Sequence, residues 1–359
     1  MDIITHRRNL HRIPELERDL PETTAYILAQ LKTLPCRVFV PAPGSLAAFF
    51  DFGGKHTVAF RADMDALPIR EATGAPYASR HDGCMHACGH DGHTAILLDL
   101  ARRLRGGPNN VLLLFQCAEE RPGGAEPICQ SGVLAGYGVR AIFGLHLWPG
   151  LPKGELFSTA GPMMSSSQEV HVTVTGKSSH IAKAAEGVDA LAIGMEFYEK
   201  ANLLSQSIPS SVPKLLKFGT FQAGTACNAI AGQALLSGSL RSFDDDTQRE
   251  LSHGLEQIAR QLEREHGCKI SVELSKGYPA LANDKSLLEK ARAMEAVGEL
   301  PQYSMTSEDF SFYQRAVPGV FFFLGLGDTP PLHSANFDFD DSVLEKGALF
   351  FEKLAKVTL

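Results

Sequence analysis

The run MHACGHDGHT (85–94) sets His86, Cys88, His90 and His93 within a few residues of one another, in a glycine-rich stretch. Imidazole and thiolate are the donors that borderline divalent metals prefer. Four other segments carry compatible groups: Asp63-Met64-Asp65, Cys117-Ala118-Glu119-Glu120, His146 in AIFGLHL, and His333 in DTPPLHSANFD. Cys84 and Cys88 form a C-x₃-C spacing without a second half, so a closed structural zinc site is not indicated. Each piece alone has a bland reading: His146 as a packed histidine, Glu119-Glu120 as a solvated pair. Taken together they suit hydrolysis of an amide, which needs a nucleophile, a polarised carbonyl and a proton for the departing amine. A bound metal lowers the pKa of its water from about 15.7 to roughly 7 and polarises the carbonyl, and two metals about 3.5–4 Å apart can share that load. A glutamate that does not bind metal can then move the proton, an effect of roughly 10²–10⁴ in rate. Adjacent glutamates suit this division, because neighbouring side chains point in different directions. A thiol hydrolase with Cys88 as nucleophile and a nearby histidine as base is the competing chemistry.

These groups need a scaffold that converges on one edge. VLLLFQ (111–116), AIFGLHL (141–147) and GVFFFLGLG (319–327) read as strands buried on both faces. AAFFDFGGKHTVAFRADMDA reads as two strands around Gly53-Gly54, with a hairpin signal. HTAILLDLARRL predicts a helix beginning near His93, and residues 1–34 read as helical with interruptions at Pro14 and Pro21. Strands alternating with helices predict a largely parallel α/β sheet covered on both sides. Ligands of such sheets gather beyond the carboxyl ends of the strands, which is where the candidate groups fall.

The middle of the chain follows another pattern. Strands at 169–176, 214–224, 233–243 and 269–277 and helices at 189–206 and 244–267 give the order β-α-β-β-α-β, the split βαβ arrangement. Residues 167–278 are therefore expected to form a ferredoxin-like domain inserted into a larger catalytic, metal-binding domain of residues 1–166 and 279–359. With 359 residues, two domains are the natural division. The formal charge of −7, without a basic stripe, argues against a nucleic-acid or anionic-membrane partner. No window approaches the roughly 18 apolar residues of a membrane span. The charged start MDIITHRRNLHRIPELERDL lacks the apolar core of a signal peptide, and seven scattered cysteines do not read as a disulfide framework, so a cytoplasmic location is expected.

MHACGHDGHT, FQCAEERPGGAEP, GLHLWPGLPKG and PLHSANFD, with HRRNLHRIPEL and RADMDALPI, resemble the signature segments of a family of metallo-amidohydrolases. The family includes hippurate hydrolase, bacterial N-acyl amino acid hydrolases, N-acetyldiaminopimelate deacetylase and plant auxin-conjugate hydrolases. The resemblance runs over the whole chain. It implies two divalent metal ions, manganese or zinc, with cobalt or nickel also compatible. Cys88 would bridge them, His90 and His146 would complete one site, and Glu120 and His333 the other. Glu119 would be the general base and acid, with Asp63 and Asp65 orienting the site. The inserted domain would act as lid and homodimerisation domain, with His180 of GKSSH reaching a partner subunit's active site to stabilise the oxyanion. Asn228 and Arg241 would bind the polar end of a small N-acyl amino acid, and Glu308 of TSEDFSFY would lie near the pocket. Without the resemblance, Arg241 reads as a surface strand arginine. Two departures stand out: Cys117 occupies the usual proline position and is expected to pack, and Ser178-Ser179 replace glycines before His180. ERPGGAEP is most similar to the N-acetyldiaminopimelate deacetylases of lysine biosynthesis. A general N-acyl amino acid or hippurate hydrolase is the alternative.

Overall fold

A computed structural model describes residues 1–359, which form two compact units. The first comprises Met1–Gly161, Ala282–Gln302 and Asp309–Leu359; the second comprises Pro162–Leu281 and Tyr303–Glu308.

The first unit is built on an eight-stranded mixed sheet. Its strands run in the order Arg37–Phe39, Leu46–Phe50, Asn110–Gln116, Thr57–Asp63, Val139–Trp148, Gly319–Gly325, Leu156–Phe157, Val297–Gly298. The four central strands are mutually parallel and their residues are almost all buried, which is why they read as unbroken apolar runs. All four end at one edge. The helix His90–Arg103 starts at the same edge, with Gly89 before it in the left-handed region at φ +84. That helix is buried along most of its length and begins three residues earlier than the sequence predicts, so His90 itself lies in its first turn.

The expected hairpin around Gly53-Gly54 is not formed. Leu46–Phe50 and Thr57–Asp63 are both strands, but Asn110–Gln116 lies between them, antiparallel to the first and parallel to the second. Asn110 enforces the insertion: its Oδ1 accepts from the amides of Phe52 and Gly54, and a Cβ on Gly54 would stand 2.7 Å from Asn110 N. The hairpin that does form joins Arg37–Phe39 to Leu46–Phe50.

The second unit is a four-stranded antiparallel sheet, Lys269–Leu274, Gln168–Thr175, Gln233–Ser242, Lys214–Ala223, with helices Ala190–Ser207 and Asp245–His266 on one face. Its chain order is β-α-β-β-α-β. Val170, Val172 and Val174 alternate inward against Phe197, Leu251 and Leu255. Asp244 caps the second helix by accepting from Thr247 N. The two connections that delimit the insertion are paired by backbone bonds between Ser167 and Tyr278. The compact unit reaches a little beyond the expected bounds of 167–278, to Pro162 and Leu281, and it also takes in Tyr303–Glu308. That short segment is held there by Ser165 N, which donates to the carbonyls of Ser304 and Thr306, and by Arg241 Nη1, which donates to Met305 O at 2.8 Å. No helix is long and apolar enough to cross a membrane.

Candidate metal centre

Five segments bring donors to the carboxyl edge of the central strands. Cys88 belongs to two groups of ligand atoms whose members lie within 4.8 Å of one another: one with His90 and His146, the other with Glu120 and His333. A third group joins His90 to Glu119 and Glu120. The side chains expected to hold metal are thus brought together, in the two sets expected.

The hydrogen bonds of the histidines decide which nitrogens are available. His90 Nδ1 faces the Asp65 carbonyl at 2.9 Å, and His146 Nδ1 faces the Leu147 carbonyl at 2.7 Å. A carbonyl only accepts, so both rings carry a proton on Nδ1, which leaves Nε2 as the nitrogen that would bind a metal. His90 Nε2 is buried with no hydrogen-bond partner, and His146 Nε2 lies 3.4 Å from Cys88 Sγ. Ligating imidazoles are oriented in this way by a second partner on the far nitrogen. His93 is different. Its Nδ1 donates to Asp63 Oδ1 at 2.6 Å, and its Nε2 accepts from Leu147 N at 2.9 Å, so it has no lone pair left for a metal.

Glu120 Oε1 lies 3.2 Å from His333 Nε2, yet it is buried without a properly aligned hydrogen bond. Two acceptor-bearing groups aimed at one point in this way fit a cation between them. The thiol environment fits as well. Burial pushes the Cys88 thiol well above its ordinary range, and the charges of Glu120, Glu119 and Asp63 push it further. A strongly bound divalent cation is the partner that would turn that thiol into a thiolate. Burial and the neighbouring His93 hold His146 well below the ordinary imidazole value. A thiolate–imidazolium pair needs both shifts reversed, so this environment disfavours Cys88 as a metal-free nucleophile.

Two aspartates position the donors. Asp65 Oδ1 accepts from Glu119 N at 3.0 Å and Oδ2 accepts from Glu120 N at 3.1 Å, while its own carbonyl holds His90. Asp63 bridges His93 and Arg61. Burial raises its pKa, but His90, His93 and Arg61 outweigh that and keep it ionised, well below the usual carboxylate range. The backbone is unusual at two of these positions: Ala118, just before Glu119, has φ +55 and His333 has φ +64. Such conformations cost energy for residues with a Cβ and concentrate at functional sites. His333 is held in place by its N–H, which donates to Ala87 O at 2.8 Å.

The sequence reading missed the layer beneath. Asp309, fully buried, accepts from Arg61, from Gln116 and from the amides of Gly124 and Ala125. It thereby pins the loop that follows the two glutamates. The available signal was an arginine and a glutamine inside otherwise apolar central strands. Cys117 packs: its Sγ lies 3.3 Å from Ser45 Oγ and 3.5 Å from Pro43 O.

In the second unit, His180 and Asn228 come together. Ile181 N donates to Asn228 O and Ile230 N donates to Ser179 O, and both side chains are exposed. His180 Nδ1 accepts from Ala182 N at 3.2 Å. Arg241 is half-buried and Glu308 is buried.

The fold and this set of donors define a metal-binding hydrolase that acts on linear amides. Residues 59–357 match peptidase family M20/M25/M40, and the chain belongs to that family. It is 35% identical, over 95% of both chains, to an N-acetyldiaminopimelate deacetylase from Exiguobacterium sibiricum. It is 33% identical to an uncharacterised hydrolase from Staphylococcus aureus, over 98% of this chain and 97% of that one. A solved structure from Bacillus subtilis, described as a dinuclear metal binding peptidase of the M20 family, superposes with a TM-score of 0.85. It is 30% identical and covers 98% of this chain and 96% of its own.

Proposed function

We propose that the protein removes the acyl group from an N-acyl amino acid at a two-metal centre, and that its substrate is N-acetyl-L,L-diaminopimelate, released as diaminopimelate and acetate in lysine biosynthesis. The observation that carries the two-metal reading is that Cys88 is shared by two separate donor groups. Bound there, two divalent ions would supply an activated water and polarise the carbonyl. Cys88 would hold both, with His90 and His146 on one side and Glu120 and His333 on the other. Glu119 takes the proton from the attacking water and delivers it to the leaving nitrogen. Its amide is fixed by Asp65, and its carboxylate is grouped with His90 and Glu120. Manganese or zinc suits the donor set, with cobalt or nickel also accommodated.

The substrate choice is supported by ERPGGAEP and by the deacetylase relative at 35% identity. The second reading, a general N-acyl amino acid or hippurate hydrolase, is favoured by the breadth of the resembling family. Residues 167–278 are assigned to a lid and dimerisation domain. His180, Asn228, Arg241 and Glu308 are carried as oxyanion and substrate contacts, with His180 serving a second copy. A homodimer is supported by an exposed apolar surface on the second unit. Leu191, Met195 and Tyr198 form a stripe along one helix, Phe221 packs beside it at Gly194, and the edge strand Lys214–Ala223 has no strand on its outer side. Seven free cysteines support a reducing, cytoplasmic setting.

The deciding experiment is amine release from N-acetyl-L,L-diaminopimelate and from hippurate side by side, with manganese- or zinc-loaded protein and a chelator-treated control. A chelator-sensitive preference for the diaminopimelate derivative is expected. Preference for hippurate would make the protein a scavenging aminoacylase. Activity that survives chelation would overturn the metal mechanism and return Cys88 to the role of nucleophile.

A further inference from the structure

Arg7, on the helix Ile3–His11, is fully buried, and its guanidinium is surrounded by three carboxylates. Nε donates to Asp91 Oδ2 at 3.0 Å, Nη1 to Asp341 Oδ1 at 2.6 Å, and Nη2 to Asp338 Oδ1 at 2.6 Å. The Phe339 ring lies over it at 4.1 Å, and Tyr77, which also donates to Asp338, closes another side. The placement of the carboxylates is informative. Asp91 is the chain neighbour of His90, in the first turn of its helix. Asp338 and Asp341 lie a few residues beyond His333, on the segment that delivers that histidine. One cation therefore joins the piece of chain that carries His90 to the piece that carries His333.

The two ligand side chains are not held equally closely without it. The His90 side has other anchors: His90 Nδ1 on Asp65 O, Thr94 Oγ1 on Asp63 O, and a helix buried along its length. The His333 side chain is 52% exposed, and its backbone is in the left-handed region. The bond from His333 N to Ala87 O joins it to the metal-binding loop, and the segment beyond it is also tied down by Ala72 N on Ala335 O, by Tyr77 on Asp338, by Arg8 on Asp341 and by the buried rings of Phe337 and Phe339.

We propose that Arg7 is a positioning residue for the metal centre, setting the distance between the His90 and His333 segments and with it the affinity for the ion held by Glu120 and His333. This rests on the two-metal reading. Only an arginine offers a rigid fork of five donors that can serve three carboxylates at once; a lysine keeps the charge as a single point and loses the geometry. Partners bonded directly to a ligand typically change metal affinity by roughly 10–100-fold, and Arg7, which acts through Asp91, Asp338 and Asp341, is one step further out, so the low end of that range is expected.

The test is a cobalt titration of chelator-stripped full-length protein. It is read by dialysis stoichiometry and by the thiolate–cobalt absorption, with thermal melting followed in parallel. Arg7→Met is expected to keep the first ion at wild-type affinity and to bind the second roughly 10-fold more weakly, with Arg7→Lys between the two. Unchanged affinity for both ions in a folded Arg7→Met would overturn the proposal. So would equal weakening of both ions in step with a lowered melting temperature, which marks a general structural role. Should Arg7→Met fail to fold, Asp338→Asn decides. Asp338 is 31% exposed, and the substitution leaves the Arg7 pairs with Asp91 and Asp341 in place. Selective weakening of the second ion supports the proposal, and unaltered binding ends it. A wild type that binds fewer than two ions would instead take down the two-metal reading itself, separately from the clamp.

Discussion

At the scale of single residues, the division of labour proposed for Glu119 and Glu120 starts from backbone geometry. Asp65 holds both amides, one on each oxygen, and so fixes the stretch of loop from which both carboxylates reach His90. Glu119→Gln keeps the shape of the side chain and removes its proton-transfer role. We expect turnover to fall by roughly 10²–10⁴ with metal content unchanged; loss of metal in that variant, measured by elemental analysis, would reassign Glu119 as a ligand. The candidate donors were legible in the sequence because their types are rare, clustered in MHACGHDGHT and repeated at strand ends, whereas their division into two sets came from the family resemblance. What was not legible is which histidines of that cluster are free to bind. His90 and His93 look alike in the sequence. Only the Leu147 amide, which arrives from the neighbouring strand, uses up the second nitrogen of His93. The roles of Arg61, Gln116 and Asp309 were hidden for a similar reason: each is defined by a partner distant in sequence.

At the scale of elements, the central strands and the split βαβ order follow from periodicity, since apolar runs and alternation report directly which faces are covered. The misread hairpin shows the limit of that logic. Two strands separated by a glycine pair satisfy a local signal, but pairing is decided by a third strand that local patterning does not contain. The loop after Glu120 is a second long-range case. A Cβ on Gly124 would stand 1.8 Å from Cys117 O, and Gly124 N is one of the donors to Asp309. Gly124→Ala must therefore push apart the segment on which both glutamates ride. We expect it to lower the melting temperature and to weaken metal binding together. A variant with wild-type melting and metal content would show that the loop relaxes without moving its ligands.

For the whole molecule, the buried charge network near the N-terminus ties stability to pH. His11 sits between Asp91 and Glu71. Burial lowers its pKa, but Asp91 and Glu71 outweigh that and raise it from 6.5 to about 9. Its contribution is complete below pH 6.5 and is lost as pH rises through about 9. Glu71 is shifted the other way. Burial raises it, while His11, Thr73 and the Ser79 amide bring it down from 4.5 to about 2, so its contribution is lost as pH falls through about 2. Melting curves across pH are expected to show a decline between 6.5 and 9 that His11→Gln lacks; an identical decline in the variant would place its origin elsewhere. Association is a second property at this scale. Charges introduced together at Met195 and Phe221 should convert a dimer to a monomer in sedimentation, and a wild type that already sediments as a monomer would dispose of that interface.

The mixed character of the donors around Cys88 has a consequence for the enzyme inside a cell. Thiol, imidazole and carboxylate in one small volume satisfy several first-row ions, and none of these donors imposes a geometry that would reject the others. Selection then passes from the protein to its surroundings. The ion recovered with the purified enzyme is expected to follow the supply in the growth medium, which elemental analysis of protein raised on different trace elements would check.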